Sequence, residues 1–484
     1  MIRSSRSPAR RRSPGPAAAA AFILLSGATV WGVLAFGAVY PWAYWPLAAM
    51  AASAGMLGLF VSIGSAGPEL GAPAVALGCL IAAALVQLVP LPLALLDTVS
   101  PATTQLLRQL SPAVAAGLVE RHPLSIRPDL TLTAVGLVAC WSLAALGSAR
   151  LFSRTGAAGF VRTLTVIGAL VALVGIVQAP LYTGAIYGFW RPFNEGNPFG
   201  PFVNRNHFAG WMLMAIPATL GLWIGSLAQA QERLRPEMRA RLLWLATPEA
   251  NRLLLSGAAI LTMGVALLMT MSRSGMVALA AAAMVLALVA MRRQRTWIRR
   301  LATVACAAAA VAVLISWVGL GRIEDRFIQE TDGATTRLGA WSDAWQIVRL
   351  FPLAGTGLNT YGVATLFYQR HEMFHHYAQA HNDYLQLAAE GGVLLVVPAL
   401  AAGVAVMLAV RRRFADPGGV RTFWLRAGAV TGLFAVGVQE LFEFSLQMPG
   451  NALLFAILCG IALHRPAMDA AGPYPSSRSA SVAT

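Results

Sequence analysis

The chain has 484 residues, 57% of them hydrophobic and only 12% charged, where an ordinary soluble domain carries about 25% charged residues. That supply of polar side chains is too small to cover a string of soluble cores. The formal net charge of +16 rests on 36 basic residues, all of them arginine, in short segments between apolar runs rather than in one patch. This pattern excludes a nucleic-acid surface and fits the basic loops of a membrane protein.

The first segment, "MIRSSRSPARRRSPGP" (1–16), is basic and rich in Ser and Pro, and reads as a disordered cytoplasmic tail. The apolar run at 17–39 is longer than the core of a signal peptide and lacks a clear small-residue cleavage site, so an uncleaved first span is expected. Further runs follow near 44–64, 73–92, 131–151, 160–180, 206–228, 253–271, 274–291, 301–320, 392–410, 424–442 and 450–464. Each can cross about 30 Å of hydrocarbon. The expected fold is therefore all-α and polytopic, with about twelve transmembrane helices. Nine lie within 17–320 and three within 392–464, with a large outer loop at 321–391 and a cytoplasmic tail at 465–484.

Tyr40, Trp42, Tyr44 and Trp45, between the first two runs, have the character of interface anchors. An inside N-terminus puts Arg150, Arg154 and the segments 231–242, 292–300 and 411–414 in the cytoplasm. About 25 of the 36 arginines then lie inside and 11 outside, as the positive-inside rule asks. Outside fall 93–130, 181–205, the short joint at 271–274 and 321–391. "GAVTG" (Gly428–Gly432) reads as a small-residue helix contact. Cys79, Cys140, Cys306 and Cys459 stand alone in apolar runs, as buried spectators do.

Candidate chemistry collects on the outer side. In "NPFGPFVNRNHFAGWM" (Asn197–Met212), Arg205 and His207 open a span, and Asn204 and Asn206 flank the arginine. A lone interfacial arginine can simply snorkel, but this one sits on the side the charge rule disfavours. In "MTMSRSGMVAL" (Met269–Leu279), Arg273 occupies a joint so short that it must lie at the outer membrane boundary, where a guanidinium faces protein or water. Its planar fork suits phosphate oxygens. "TTRLGAWSDAWQIV" (Thr335–Val348) opens with Arg337, and the helical spacing of Leu338, Trp341, Trp345 and Val348 predicts an apolar face lying over the spans. "FPLAGTGLNTYG" (Phe351–Gly362) is either a nest of backbone N–H groups for an anion or a plain tight turn.

Four histidines, His371, His375, His376 and His381, follow within eleven residues. They raise a metal site as a possibility, but with no cysteine nearby and only Glu372 and Asp383 as local carboxylates, a metal-free cluster is expected. His381 stands at the entrance of a helix that Asp383 and Gln386 would cap and Gly391–Gly392 would close. An imidazole there suits a general base, although a hydrogen-bonded structural role is equally open and His375 and His376 are close enough to compete.

Taken together, "FVNRNHFAG" with Arg205, "MSRSG" with Arg273 and "GTGLNTY…HNDYLQLAAEGG" with His381 resemble the O-antigen ligase and O-antigen polymerase superfamily of bacterial inner-membrane proteins. The resemblance covers about 197–397 and the span count. It implies a periplasmic active site that moves a glycan from undecaprenyl diphosphate to lipid A–core, to a second lipid-linked glycan or, in related members, to a protein, with no metal and no cofactor. It further implies that Arg205 and Arg273 engage the diphosphate and that His381 activates the acceptor. Arg337, Asn204, Asn206, His207 and Asn382 are the expected substrate-binding side chains. Trp341 and Tyr361 either stack on sugars or simply pack. The rival from another class is a lipid-linked glycan transporter, which calls for ionisable residues in mid-span and paired broken helices. Polar groups gathered at one end of the spans favour the transferase.

Overall fold

The computed structural model describes residues 15–61, 70–193, 197–234, 237–294, 296–298, 300–305, 308, 331–371, 376–415 and 418–465. The tail over 1–14, most of the expected span at 301–320, the stretch 321–330, Cys306, Glu372, His375 and the tail over 466–484 lie outside these residues.

The chain is all-α. Two helices, α1 (Pro16–Leu34) and α2 (Pro41–Phe60), open it, each with proline in the first turn, where a missing N–H costs nothing. After α3 (Gly71–Val86) come three short helices, α4 (Leu93–Val99), α5 (Pro101–Leu110) and α6 (Pro112–Ala115). A two-residue ribbon brackets them: β1 (Leu91–Pro92) runs antiparallel to β2 (Arg121–His122), with Leu91 opposite His122. The bundle continues through α7 (Pro128–Thr155), α8 (Ala158–Leu181), α9 (Arg205–Arg233), the short α10 (Met238–Leu245), α11 (Pro248–Met269) and α12 (Arg273–Arg293). Then come α13 (Thr331–Leu350), α14 (Tyr361–Tyr368), α15 (Asp383–Ala415), α16 (Val420–Gln439) and α17 (Pro449–Leu463).

Among the described residues, eight helices are long and apolar enough to cross a membrane: α1, α2, α7, α8, α9, α11, α12 and α15. Two more, α3 and α17, are apolar but shorter. The expected span at 424–442 is α16, whose Arg426 is fully buried. That guanidinium donates to the carbonyls of Arg413, Ala462 and His464 at 2.7, 3.1 and 2.9 Å, and so satisfies helix-terminal acceptors that have no partner of their own.

Apolar residues occupy almost every face of α9, so it sits in the centre of the bundle, with Phe208, Trp211, Met212 and Met214 fully buried. Helix α16 packs closely along it. A side chain on Gly428 would stand 2.3 Å from the Pro217 carbonyl, so the small-residue contact expected at Gly428–Gly432 joins α16 to α9.

The two segments expected on the outer side, 93–130 and 321–391, do not form separate loops. Leu106 and Ile126 pack with Ala344, Ile347, Phe351 and Tyr361 in one apolar cluster, and Leu96, Leu107 and Leu124 pack with Ala354 in another. Fully buried Gln87, at the end of α3, donates to the carbonyls of Ala354 (2.7 Å) and Glu390 (2.8 Å) and accepts from the Leu358 N–H (3.0 Å). These contacts make a cap over one end of the bundle. In α13 the buried face differs from the expected one. Ala340, Asp343, Ala344 and Ile347 point inward, while Leu338 and Trp345 are 62% and 52% exposed. Small side chains let α13 lie close to α15, and the bulky ones are left outside.

Candidate active site

Three backbone features build the site. The first is the entrance to α15. His381 adopts φ of +50°, and Asn382 caps the helix by accepting the Leu385 N–H at 3.0 Å. The cap is therefore Asn382 and not the expected Asp383. The Asp383 carboxylate instead accepts from Gln447 at 2.6 Å, and its N–H donates to the Glu440 carbonyl at 3.1 Å. Gln386 accepts the Ala380 N–H at 2.9 Å and donates to Glu390 and Gln447 at 3.1 and 3.2 Å.

The second feature is the glycine-rich turn. α15 does not close at Gly391–Gly392 as expected. It breaks at Gly392 (φ 53°, ψ −159°), a conformation open to glycine, and resumes. The turn supplies the backbone partners that the break releases. Val393 and Leu394 donate to the carbonyls of Pro352 and Leu353, both at 2.9 Å, and Thr356 and Gly357 donate to those of Ala389 and Glu390 at 3.0 and 2.9 Å. The N–H groups of Asn359 (2.7 Å) and Tyr361 (3.0 Å) converge on the Glu390 carboxylate. The nest read from the sequence thus holds an anion, but an internal one. Tyr361 is 1% exposed with its ring in the cap's core, so it packs and does not present a face to a sugar.

The third feature is the segment 440–448, between α16 and α17. It carries Glu443, 1% exposed, at the centre of a side-chain cluster. Asn206 donates to Glu443 Oε1 at 2.8 Å, and Arg337 Nη2 donates to the same oxygen at 3.1 Å. The other oxygen, Oε2, faces His381 Nδ1 at 3.8 Å. Phe444 sets its ring edge-to-face against His207 (4.6 Å between centroids) and His381 (4.9 Å). Gln439 and Ser445 fix the turn by donating to the Asn206 carbonyl at 2.9 and 3.4 Å. Burial alone would push the Glu443 carboxyl up, but His381, Arg337 and His207 outweigh it and hold the group below its ordinary range.

Of the residues expected from sequence, Asn206, His207, Arg337 and His381 meet around Glu443. Asn204 serves as the cap of α9, accepting the Asn206 N–H at 2.8 Å. Arg205 is the first residue of α9, and its N–H donates to the Asn197 carbonyl at 2.7 Å. Arg273 is the first residue of α12, where Ser272 is the cap, and its side chain is exposed. The two helix starts adjoin, since a side chain on Gly275 would touch that of Ala209 at 2.9 Å. His207 is 3% exposed, more deeply placed than a loop histidine would be.

The other described histidines of that stretch, His371 and His376, are engaged elsewhere. His371 Nδ1 pairs with Asp343 at 2.7 Å, and His376 Nε2 donates to the Gly362 carbonyl at 2.7 Å. Among the described residues, no group of three or more His, Cys, Asp or Glu is set to hold a metal ion. A cavity of about 1200 Å³, lined by Gln231, Trp244, Arg293 and Trp424 among others, lies toward the far end of α9 and is separate from the cluster.

Sequence reasoning missed Glu443. The signal was "QELFEFSLQ" (Gln439–Gln447), in which two carboxylates and two amides interrupt two apolar runs.

Residues 258–400 match the family described as O-antigen ligase. That match, over under a third of the chain, supports an assignment to the O-antigen ligase and polymerase superfamily. The superfamily's work is polysaccharide biosynthesis, with lipid-linked glycans as the general substrate class. The matched segment includes Arg273, Arg337 and His381, whereas Arg205, Asn206, His207 and Glu443 fall outside it and reach the same place through the fold. No curated protein matches the chain at a significant level.

Proposed function

We propose that the chain is a glycan transferase of the bacterial inner membrane, with its active site on the periplasmic face. It moves a glycan from undecaprenyl diphosphate to an acceptor hydroxyl. The observation that carries this reading is the convergence of His381, Arg337, Asn206 and His207 at the end of the bundle where α9 and α12 begin with Arg205 and Arg273.

The acceptor oxygen attacks the anomeric carbon, the bond from that carbon to the phosphate oxygen breaks, and the diphosphate leaves with the electron pair. Charge grows on the leaving group, and permanently charged guanidinium groups of Arg205 and Arg273 stabilise it. Arg337, beside the cluster, is a further phosphate or sugar contact, and Asn204, Asn206, His207 and Asn382 shape the surrounding surface. The hydroxyl proton passes to His381. Nδ1 of His381 faces Glu443, so Nε2 is the nitrogen left to take the proton. The distribution of arginines between the two ends of the spans supports the periplasmic assignment.

Gel analysis of surface polysaccharide in a deletion strain tests the proposal. Loss of glycan from lipid A–core identifies a ligase, single repeat units on that core identify a polymerase of O-antigen, and loss of a secreted or capsular polymer alone identifies an exopolysaccharide polymerase. An unchanged polysaccharide profile would overturn the reading.

A further inference from the structure

We infer that Glu443 is a positioning residue for His381. Its carboxylate orients the imidazole through Nδ1 and supplies the counter-charge when Nε2 takes the acceptor's proton. This rests on the transferase reading above, and it adds a residue outside the segment that matches the family.

Both partners are poised for it. Among the described residues, His381 Nδ1 and Glu443 Oε2 are buried and lack any hydrogen-bond partner, and they face each other at 3.8 Å. A closure of about 1 Å would bring them to hydrogen-bond distance, as happens when a substrate tightens an open site. The other oxygen, Oε1, is held at 2.8 Å by Asn206 from α9 and at 3.1 Å by Arg337 from α13. The carboxylate cannot rotate away without breaking both bonds. Phe444, in edge contact with His381, limits rotation of the ring. His381 itself stands at φ of +50°, a backbone conformation uncommon outside glycine, which aims its side chain back at the segment carrying Glu443. An imidazole held by a buried carboxylate is fixed in one tautomer and is a better proton acceptor at its free nitrogen.

The charged and titratable groups around the pair are Arg337 from α13, His207 from α9, Asp383 at the start of α15, Glu440 at the end of α16 and Tyr377 beside the His381 ring. Arg337 opposes the effect of Glu443 on His381. Opposite signs of response are therefore expected from neutralising Glu443 and from neutralising Arg337.

The test uses the full-length protein in detergent micelles and diethyl pyrocarbonate, which acylates neutral imidazole. The rate of modification of each histidine at one fixed neutral pH is followed by peptide mass spectrometry. In Glu443→Gln the His381 imidazole, no longer held through Nδ1, should react at least about threefold more slowly than in wild type. In Arg337→Gln, a half-exposed position where folding is less at stake, it should react faster. The rates at His371 and His376 should stay in place in both. In the deletion host, product per inserted molecule should fall at least tenfold for Glu443→Gln, and Glu443→Asp should recover part of it.

A His381 modification rate that does not change in either variant, or full product from Glu443→Gln, overturns the pairing. The transferase reading fails separately, if His381→Ala and Arg273→Ala both make wild-type product.

Discussion

Two buried glutamates at the same end of the bundle are handled in opposite ways. Glu390, 4% exposed, accepts backbone N–H groups from Asn359 and Tyr361 and the side-chain amide of Gln386. Glu443, 1% exposed, is surrounded by side chains: Asn206, Arg337, His381 and His207. Backbone donors set in a glycine-rich turn cannot move, and they satisfy both Glu390 oxygens. The carboxylate locks the turn to the kink in α15 and has nothing left to offer a substrate. Glu443 keeps one oxygen without a hydrogen bond, aimed at an imidazole. A buried carboxylate saturated by backbone marks architecture, whereas one left half-satisfied among titratable side chains marks chemistry.

Substitutions at both kinds of position break or sharpen this contrast. After His381 itself, the largest effect belongs to the arginines at the helix starts. Arg205→Ala and Arg273→Ala should each lose about 10²–10³-fold in product, the scale of removing one stabiliser of developing charge, while melting in detergent stays close to wild type. A large fall in melting temperature with normal product per folded molecule would make these residues architectural.

Glu390→Ala should do the reverse. It leaves two N–H groups without partners, at about 1–3 kcal/mol each, so inserted protein and melting temperature should fall while product per folded molecule stays within about threefold of wild type. Gly392→Ala acts on the same lock. A side chain there would stand 2.6 Å from the Pro352 carbonyl at a positive φ, and a loss of about 2–3 kcal/mol in stability is expected by thermal unfolding in detergent.

The smallest effect concerns acid. The Glu443 carboxyl lies below its ordinary range in the folded protein, so the stability it contributes is fully present above the ordinary carboxyl pKa, about 4.3, and is lost as pH falls through its depressed folded value. Glu443→Gln should lack that component, and its melting curve should fall less steeply than wild type below that range. The Arg337 partner is 42% exposed, so Arg337→Gln should cost no more than about 1 kcal/mol at neutral pH.

Much of this arrangement was legible in the sequence, and the reasons differ by element. Apolar runs bounded by Pro, Asn, Ser or Arg mark helix ends, so 128–155, 158–181, 205–233 and 273–293 fall close to where they were expected. Arg205, Asn206 and His207 stood out because polar residues at a span boundary are costly unless they have a task, whereas Arg337 and His381 stood out in the long loop by the helical segments they open. Helix α13 was misread because its aromatic side chains are larger and more hydrophobic than the Ala and Ile of its true inner face, and periodicity alone cannot tell which apolar stripe a neighbour will meet. The anion of the glycine-rich turn was hidden, since Glu390 lies nearly thirty residues beyond it. Glu443 was hidden for a similar reason. Its partners come from α9, α13 and the entrance of α15, and only the packing of α16 against α9 brings them to it.

The central claim, that chemistry resides in the Glu443–His381 cluster, is tested most directly by His381→Ala in the deletion host. Surface polysaccharide is measured on gels and normalised to inserted, folded protein. The account predicts a loss of about 10²–10⁴-fold at wild-type levels of insertion. Wild-type product from that variant would contradict it.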